Sequence, residues 1–205
     1  MLDLPPAVVK IAMKDDSDVG VKPYAGSNVP PPYMIYRQNH VFHADAFSKA
    51  SMESVISGFT ESIKDACTNL HIGEEWIECP DLYTFVRDLM FAPSISAIFG
   101  PKMLELSPDL ASDFWIFDEN VGFLAMGMPN WFKPQGARYR AKCLAAVTRW
   151  RRHAENEPSV THEDSAWNST WGLGALGRRY EGLKPHDVMS SERAKASVDL
   201  GFLWA

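Results

Sequence analysis

Three cysteines among 205 residues, Cys67, Cys79 and Cys143, are too few and too scattered for a disulfide framework, and none belongs to a C-x-x-C pair that would bind zinc. Such usage suits a reducing compartment. An excess of positive charge is also lacking. With 20 Lys and Arg against 26 Asp and Glu, the formal charge is -6, the wrong sign for a general binder of phosphate backbones, so no nucleic-acid partner is expected. No run approaches the roughly 20 apolar residues that span a bilayer, and no opening stretch resembles a signal peptide, which implies a soluble or at most peripheral chain. No G-x-S-x-G elbow, P-loop or H-E-x-x-H occurs, and no convincing alternation of apolar and polar residues marks a strand.

What is present is apolar mass at helical spacing. Hydrophobic residues make up 46% of the chain, enough for a packed core. Leu110, Phe114, Phe117, Val121 and Leu124 recur at steps of four and three, placing them on one face of a helix, with Ser107 as expected N-cap and Pro108 at its first position. A second helix opens at Pro134 and carries Tyr139, Cys143, Val147 and Trp150, closing on the basic run Arg149 to His153, which suits a helix C-terminus. Between them the segment from Met126 to Pro134 is too apolar for an ordinary solvated loop. It is expected to touch a ligand, a membrane or another part of the protein.

The fold class expected is mainly α, as one domain with residues 1–32 an irregular lead-in and 33–205 helical. Tyr33 to Phe47 reads as a short helix. Ser51 to Leu70 reads as a longer one, with Met52, Val55, Phe59, Ile63, Cys67 and Leu70 on one face and an end near Gly73. Pro80-Asp81 opens another, apolar through Leu82, Phe85, Val86 and Leu89, which Pro93 should kink or break and Gly100-Pro101 should stop. Residues 155–187 are expected to be loops around short helical turns. The last stretch, Ser191 to Ala205, begins as a helix and ends on apolar residues, which reads as a docked helix or a chain cut inside a buried one.

Two short motifs are discounted. Gly172-Leu-Gly-Ala-Leu-Gly177 matches G-x-G-x-x-G, but a dinucleotide site needs a buried parallel strand before it and a full helix after it, and neither is evident. Asn168-Ser-Thr170 is a glycosylation sequon without a secretory signal. His40 and His43 sit three apart with no further ligands converging, so a metal site is not expected.

Longer segments carry a resemblance. Leu106 to Trp150 resembles the paired helices and connecting loop over the substrate pocket of fungal cytochrome P450 monooxygenases, of the branch related to prostacyclin synthase and sterol 7-hydroxylases. Gly73 to Gly100, ending in Ile-Phe-Gly, and Ser191 to Ala205, similar to the lead-in of the family's long central helix, stand before and after it in matching order. The resemblance covers about Tyr36 to Ala205. It implies a heme-dependent monooxygenase that inserts oxygen into a hydrophobic small molecule such as a sterol, lipid or secondary metabolite. Heme b would be the cofactor and a reductase the partner, at the cytosolic face of the endoplasmic reticulum membrane with peripheral membrane contact, this chain itself being cytoplasmic.

The family's F-x-x-G-x-x-x-C-x-G loop and E-x-x-R pair do not occur here. The resemblance therefore implies a partial fold, amino-terminal to middle, without the axial cysteine or catalytic residues and inactive alone. Counting back from Ala46-Phe47, Tyr36 and His40 stand where the family often has W-x-x-x-R, and with Arg37 they are the implied heme-propionate contacts. Phe123, Met128, Trp131 and Phe132 are the implied substrate entrance. A competing expectation is a self-sufficient helical module that docks a partner or lipid through residues 126–134.

Overall fold

The computed structural model describes residues 5–7, 10, 24–27, 35–70, 73, 76, 78–126, 129, 131–157 and 166–183; for residues 35–40, 125 and 181–183 it describes the backbone alone. The chain runs α1 (Ile35–Ala46), α2 (Lys49–Thr68), α3 (Leu82–Phe99), α4 (Lys102–Leu106), α5 (Leu110–Ala125), α6 (Pro134–Glu155), β1 (Trp167–Asn168), β2 (Gly172–Leu173) and α7 (Gly174–Leu183). The architecture is mainly α. Lead-in residues 11–23 and 28–32, and the segment from Ser191 onward, lie outside the described residues.

Local chemistry marks three helix starts. Ser48, in extended conformation, accepts from the Ser51 amide at the start of α2. Asp81 does the same for α3, its carboxylate taking the Thr84 amide and hydroxyl. These bonds hold its acid below the usual carboxylate range. Pro134 occupies the first turn of α6, and Arg152 and His153 its last, as the sequence predicts. The start of α5 differs from expectation. Ser107 ends α4 and is buried, its hydroxyl accepting from Arg149, so residues 108–109 form a turn and the helix begins at Leu110. The hydroxyl is used across the packing and not along the chain.

The core lies where α5 and α6 pack against the C-terminal half of α3. Leu110, Phe114 and Phe117 of α5 are buried, with Val121 and Leu124 partly so, and Cys143, Val147 and Trp150 of α6 face them. Phe91 meets Phe114 and Trp115 with ring centroids 5.4 Å away in each case. The outer half of α3 is different: Leu82 and Val86, expected inside, are exposed, because the helix is buried only toward its far end, at its own Phe91, Ile95 and Phe99. α2 packs on α3 along one side, leaving its predicted face half-buried and Cys67 exposed. It ends on Asn69 and not at Gly73.

Helix α3 runs unbroken through Pro93. The ring is buried, and the end of the helix is held by two indoles: Trp150 donates to the Phe99 carbonyl and Trp167 to the Ala97 carbonyl, each at 2.8 Å. These bonds satisfy carbonyls that a helix terminus leaves without partners. Gly100 then turns the chain with φ 78°.

The region expected to be loops contains a two-stranded antiparallel ribbon, Trp167 opposite Leu173 and Asn168 opposite Gly172, followed by the ten-residue α7. The Asn168 carboxamide accepts from the amides of Thr170 (3.1 Å) and Trp171 (2.7 Å), closing the turn. Gly172 lies against the backbone of Ile98 to Gly100, and a Cβ on Gly100 would stand 2.6 Å from the Ser169 carbonyl oxygen. The two glycines let the ribbon press onto the end of α3. That contact is invisible to local periodicity.

Candidate functional site

The α5–α6 junction presents aromatic surface. Phe123 on the last turn of α5 is half-buried, while Trp131 and Phe132 are 81% and 50% exposed. Phe123 and Phe132 have ring centroids 6.5 Å apart, and Trp131 meets Phe132 edge-on at 6.2 Å. The Lys133 ammonium stands 4.8 Å from the Phe123 ring centroid, a cation–π contact that ties the loop to α5. Three of the four expected entrance residues thus form one cluster. Met128 lies outside the described residues, and neighbouring Met126 is exposed.

Helix pairing fixes the spacing beneath this cluster. Gly136 faces Asn120 so closely that a Cβ would lie 3.0 Å from the Asn120 Cβ. The buried Asn120 amide donates to the Ile116 carbonyl at 2.7 Å and is thereby satisfied within its own helix. Further along, Lys142 bonds Asp113 at 2.6 Å, which raises the lysine above its ordinary range.

A second grouping surrounds α1. Tyr36, Arg37 and His40 lie on this helix, and their side chains fall outside the described residues. Downstream on the same helix, Phe42 and Ala46 are buried. Asp45 receives both forks of Arg178 from α7, Nε to Oδ2 and an Nη nitrogen to Oδ1, each at 2.8 Å, and this pairing raises the guanidinium above its ordinary pKa. Arg179 lies over the Phe42 ring at 5.4 Å. His43 is exposed. Sequence reasoning passed over Arg178 and Asp45, and nothing local signals them, since they are 133 positions apart.

The basic run at the end of α6 is not simply solvated. Arg151 is 1% exposed, 3.3 Å from Glu155 and 5.7 Å from the Tyr180 ring centroid. Tyr180 stacks on Trp171, which meets Trp150 edge-on at 5.5 Å.

The discounted motifs stay discounted, for a sharper reason. A helix does begin within Gly172 to Gly177, at Gly174, and is longer than expected, but the strand before it is the two-residue Gly172–Leu173 of an antiparallel ribbon, and Gly172 is pressed against backbone at the end of α3. The carboxamide oxygen of the sequon asparagine holds the turn, and its Nδ2, the atom a glycan would join, is buried in the folded chain. Among the described residues no group of three His, Cys, Asp or Glu converges as a metal site would require. No helix among them is long and apolar enough to cross a membrane.

Three curated proteins match the sequence. It is 33% identical over 151 residues to the cytochrome P450 monooxygenase efuG of Hormonema carpetanum, covering 72% of this chain and 27% of that protein. It is 35% identical over 133 residues to the cytochrome P450 monooxygenase fsoE of Humicola fuscoatra, covering 64% and 23%. It is 24% identical over 166 residues to the cytochrome P450 monooxygenase calL of Penicillium decumbens, covering 78% and 30%. The chain spans about a quarter of the length of the curated relatives it matches. No family model matches, and no solved structure matches.

Kinship of this kind implies heme, and the three thiols test the fit. Cys143 is fully buried between α5 and α6, and burial pushes its thiol up to about 12, away from the thiolate an iron ligand must be. Cys67 and Cys79 are exposed on the surface. None of the three fits an axial position.

Proposed function

We propose, from the relationship of this sequence to the fungal cytochrome P450 monooxygenases, that the chain forms the substrate-facing helices of a heme-dependent monooxygenase and supplies no ligand to its iron. When bound, the heme of such an enzyme carries the oxygen-insertion chemistry. The role read for these residues is to bind and orient: α5 and α6 roof the pocket, and Phe123, Trp131 and Phe132, with Met128, form its mouth. The substrate is a hydrophobic small molecule, which an aromatic rim would draw out of water, and electrons come from a reductase. Tyr36, Arg37 and His40 are read as contacts to the heme carboxylates. The observation that carries this reading is the aromatic cluster at the junction of two rigidly paired helices, in a sequence whose relatives are monooxygenases.

The experiment is a graft. Replacing the matching segment of efuG with residues of this chain gives a complete protein in which the mouth can be altered. Trp131→Ala with Phe132→Ala should raise the apparent dissociation constant of an apolar substrate by about tenfold, the effect of about 1.4 kcal/mol of lost apolar contact, and leave turnover at saturation within about twofold. Unchanged affinity with lost turnover would contradict the reading.

The exposure of Met126, Trp131 and Phe132 favours a second role for the same loop, peripheral contact with a membrane surface, where Trp is commonly enriched. Vesicles of zwitterionic lipid brominated in the acyl chain should quench the fluorescence of the chain less when Trp131 is replaced by Ser. Equal quenching would exclude this loop as the contact.

A further inference from the structure

Helix α1 is not held mainly by its neighbour in sequence. It packs chiefly against α7, and the contacts are specific: the bidentate pair of Arg178 with Asp45, and Arg179 over the ring of buried Phe42. α7 is fastened in the other direction as well. Tyr180 stacks on Trp171 at 5.7 Å, Arg151 of α6 lies over the Tyr180 ring, and Trp171 meets Trp150 of α6. Within three consecutive residues, 178 to 180, α7 therefore grips α1 on one side and α6 on the other.

We infer that α7 is the strut that sets α1 relative to the α5–α6 pair, with Arg178 as positioning residue for α1. The physical case rests on geometry. A guanidinium fork on a carboxylate fixes both distance and orientation, which a point charge does not, and both partners are about one-third exposed, so the fork is only partly screened by water. Phe42 and Asp45 are three apart on α1, so fork and cation–π contact lie on neighbouring turns of one face and oppose rotation of the helix as well as its departure. The functional consequence rests on the reading of Tyr36, Arg37 and His40 as heme-carboxylate contacts: these residues precede Asp45 on the same helix, so whatever fixes the roll of α1 fixes where they can reach.

Hydrogen exchange on the 205-residue chain tests this. Asp45→Asn and Arg178→Met should each speed exchange of the amides from Val41 to Ala46 by about tenfold, while amides from Cys143 to Trp150 keep their protection. The double variant should be no faster than the faster single, because both remove one contact. Arg178→Lys, which keeps the charge and loses the fork, should fall between and guards against a variant that fails to fold. Unchanged exchange in α1, or equal loosening of α6, would overturn the inference. A hemin titration followed by tryptophan quenching separates the two readings. Loosened α1 with weakened hemin binding supports both, whereas loosened α1 with unchanged binding supports the strut and removes the carboxylate-contact role of α1.

Discussion

Single residues in this chain show where packing reverses ordinary substitution rules. Gly58 stands inside α2 with open space where a Cβ would project, so Gly58→Ala should stabilise the protein by about 0.5–1 kcal/mol through helix propensity alone. Gly172 has φ 65° and backbone of α3 against its missing Cβ. Gly172→Ala should therefore destabilise by about 3 kcal/mol or more, since no flexible side chain can yield. Urea midpoints of the two variants, moving in opposite directions from the parent, check both.

Cys143 offers a test that depends on pH. Its thiol is raised from 9.0 to about 12 by burial, so the folded chain keeps the proton that the unfolded chain loses. The stability this contributes is complete below pH 9 and is lost as pH rises toward 12. Alkylation at pH 8 should modify Cys67 and Cys79 promptly and Cys143 only in denaturant, read by mass spectrometry of peptides. None of this was visible in spacing, which showed Cys143 on an apolar face but not its full enclosure.

At the scale of elements, α5 and α6 were legible because apolar residues recur at helical period and the pair buries one face each. Pro134 and the basic end of α6 were legible for the same reason, being local. α3 was misread twice, and both errors are tertiary. Its last carbonyls are taken by indoles that arrive from positions 150 and 167, and its outer face is bare because burial is confined to its C-terminal half. The ribbon and α7 depend on Gly100 meeting Gly172, a contact across 72 positions that no window of sequence contains. Trp150→Phe keeps the ring and removes the donor to Phe99, so it should cost about 1–2 kcal/mol of stability, whereas Trp150→Ala, which also empties a fully buried site, should cost about 3–5 kcal/mol. Thermal or urea unfolding would rank them, and a Trp150→Phe variant as stable as the parent would mean that the indole bond contributes nothing.

For the whole molecule, the sequence resemblance and the matching relatives agree on the family of the chain, and the helical architecture agrees with a part of that fold. The aromatic cluster was largely legible, since an apolar loop between two amphipathic helices is a local pattern, and Phe123, Trp131 and Phe132 do gather there. The fastening of α1 was not, because an ion pair spanning 133 positions leaves no periodic trace. Iron ligation turns on the thiols, of which one is sealed in the core in its neutral form and two lie on the surface. The direct test is to add hemin to the purified chain, reduce it and record the absorption spectrum under carbon monoxide. The account predicts no thiolate-type Soret band; such a band, abolished by replacing one of the three cysteines with serine, would contradict it.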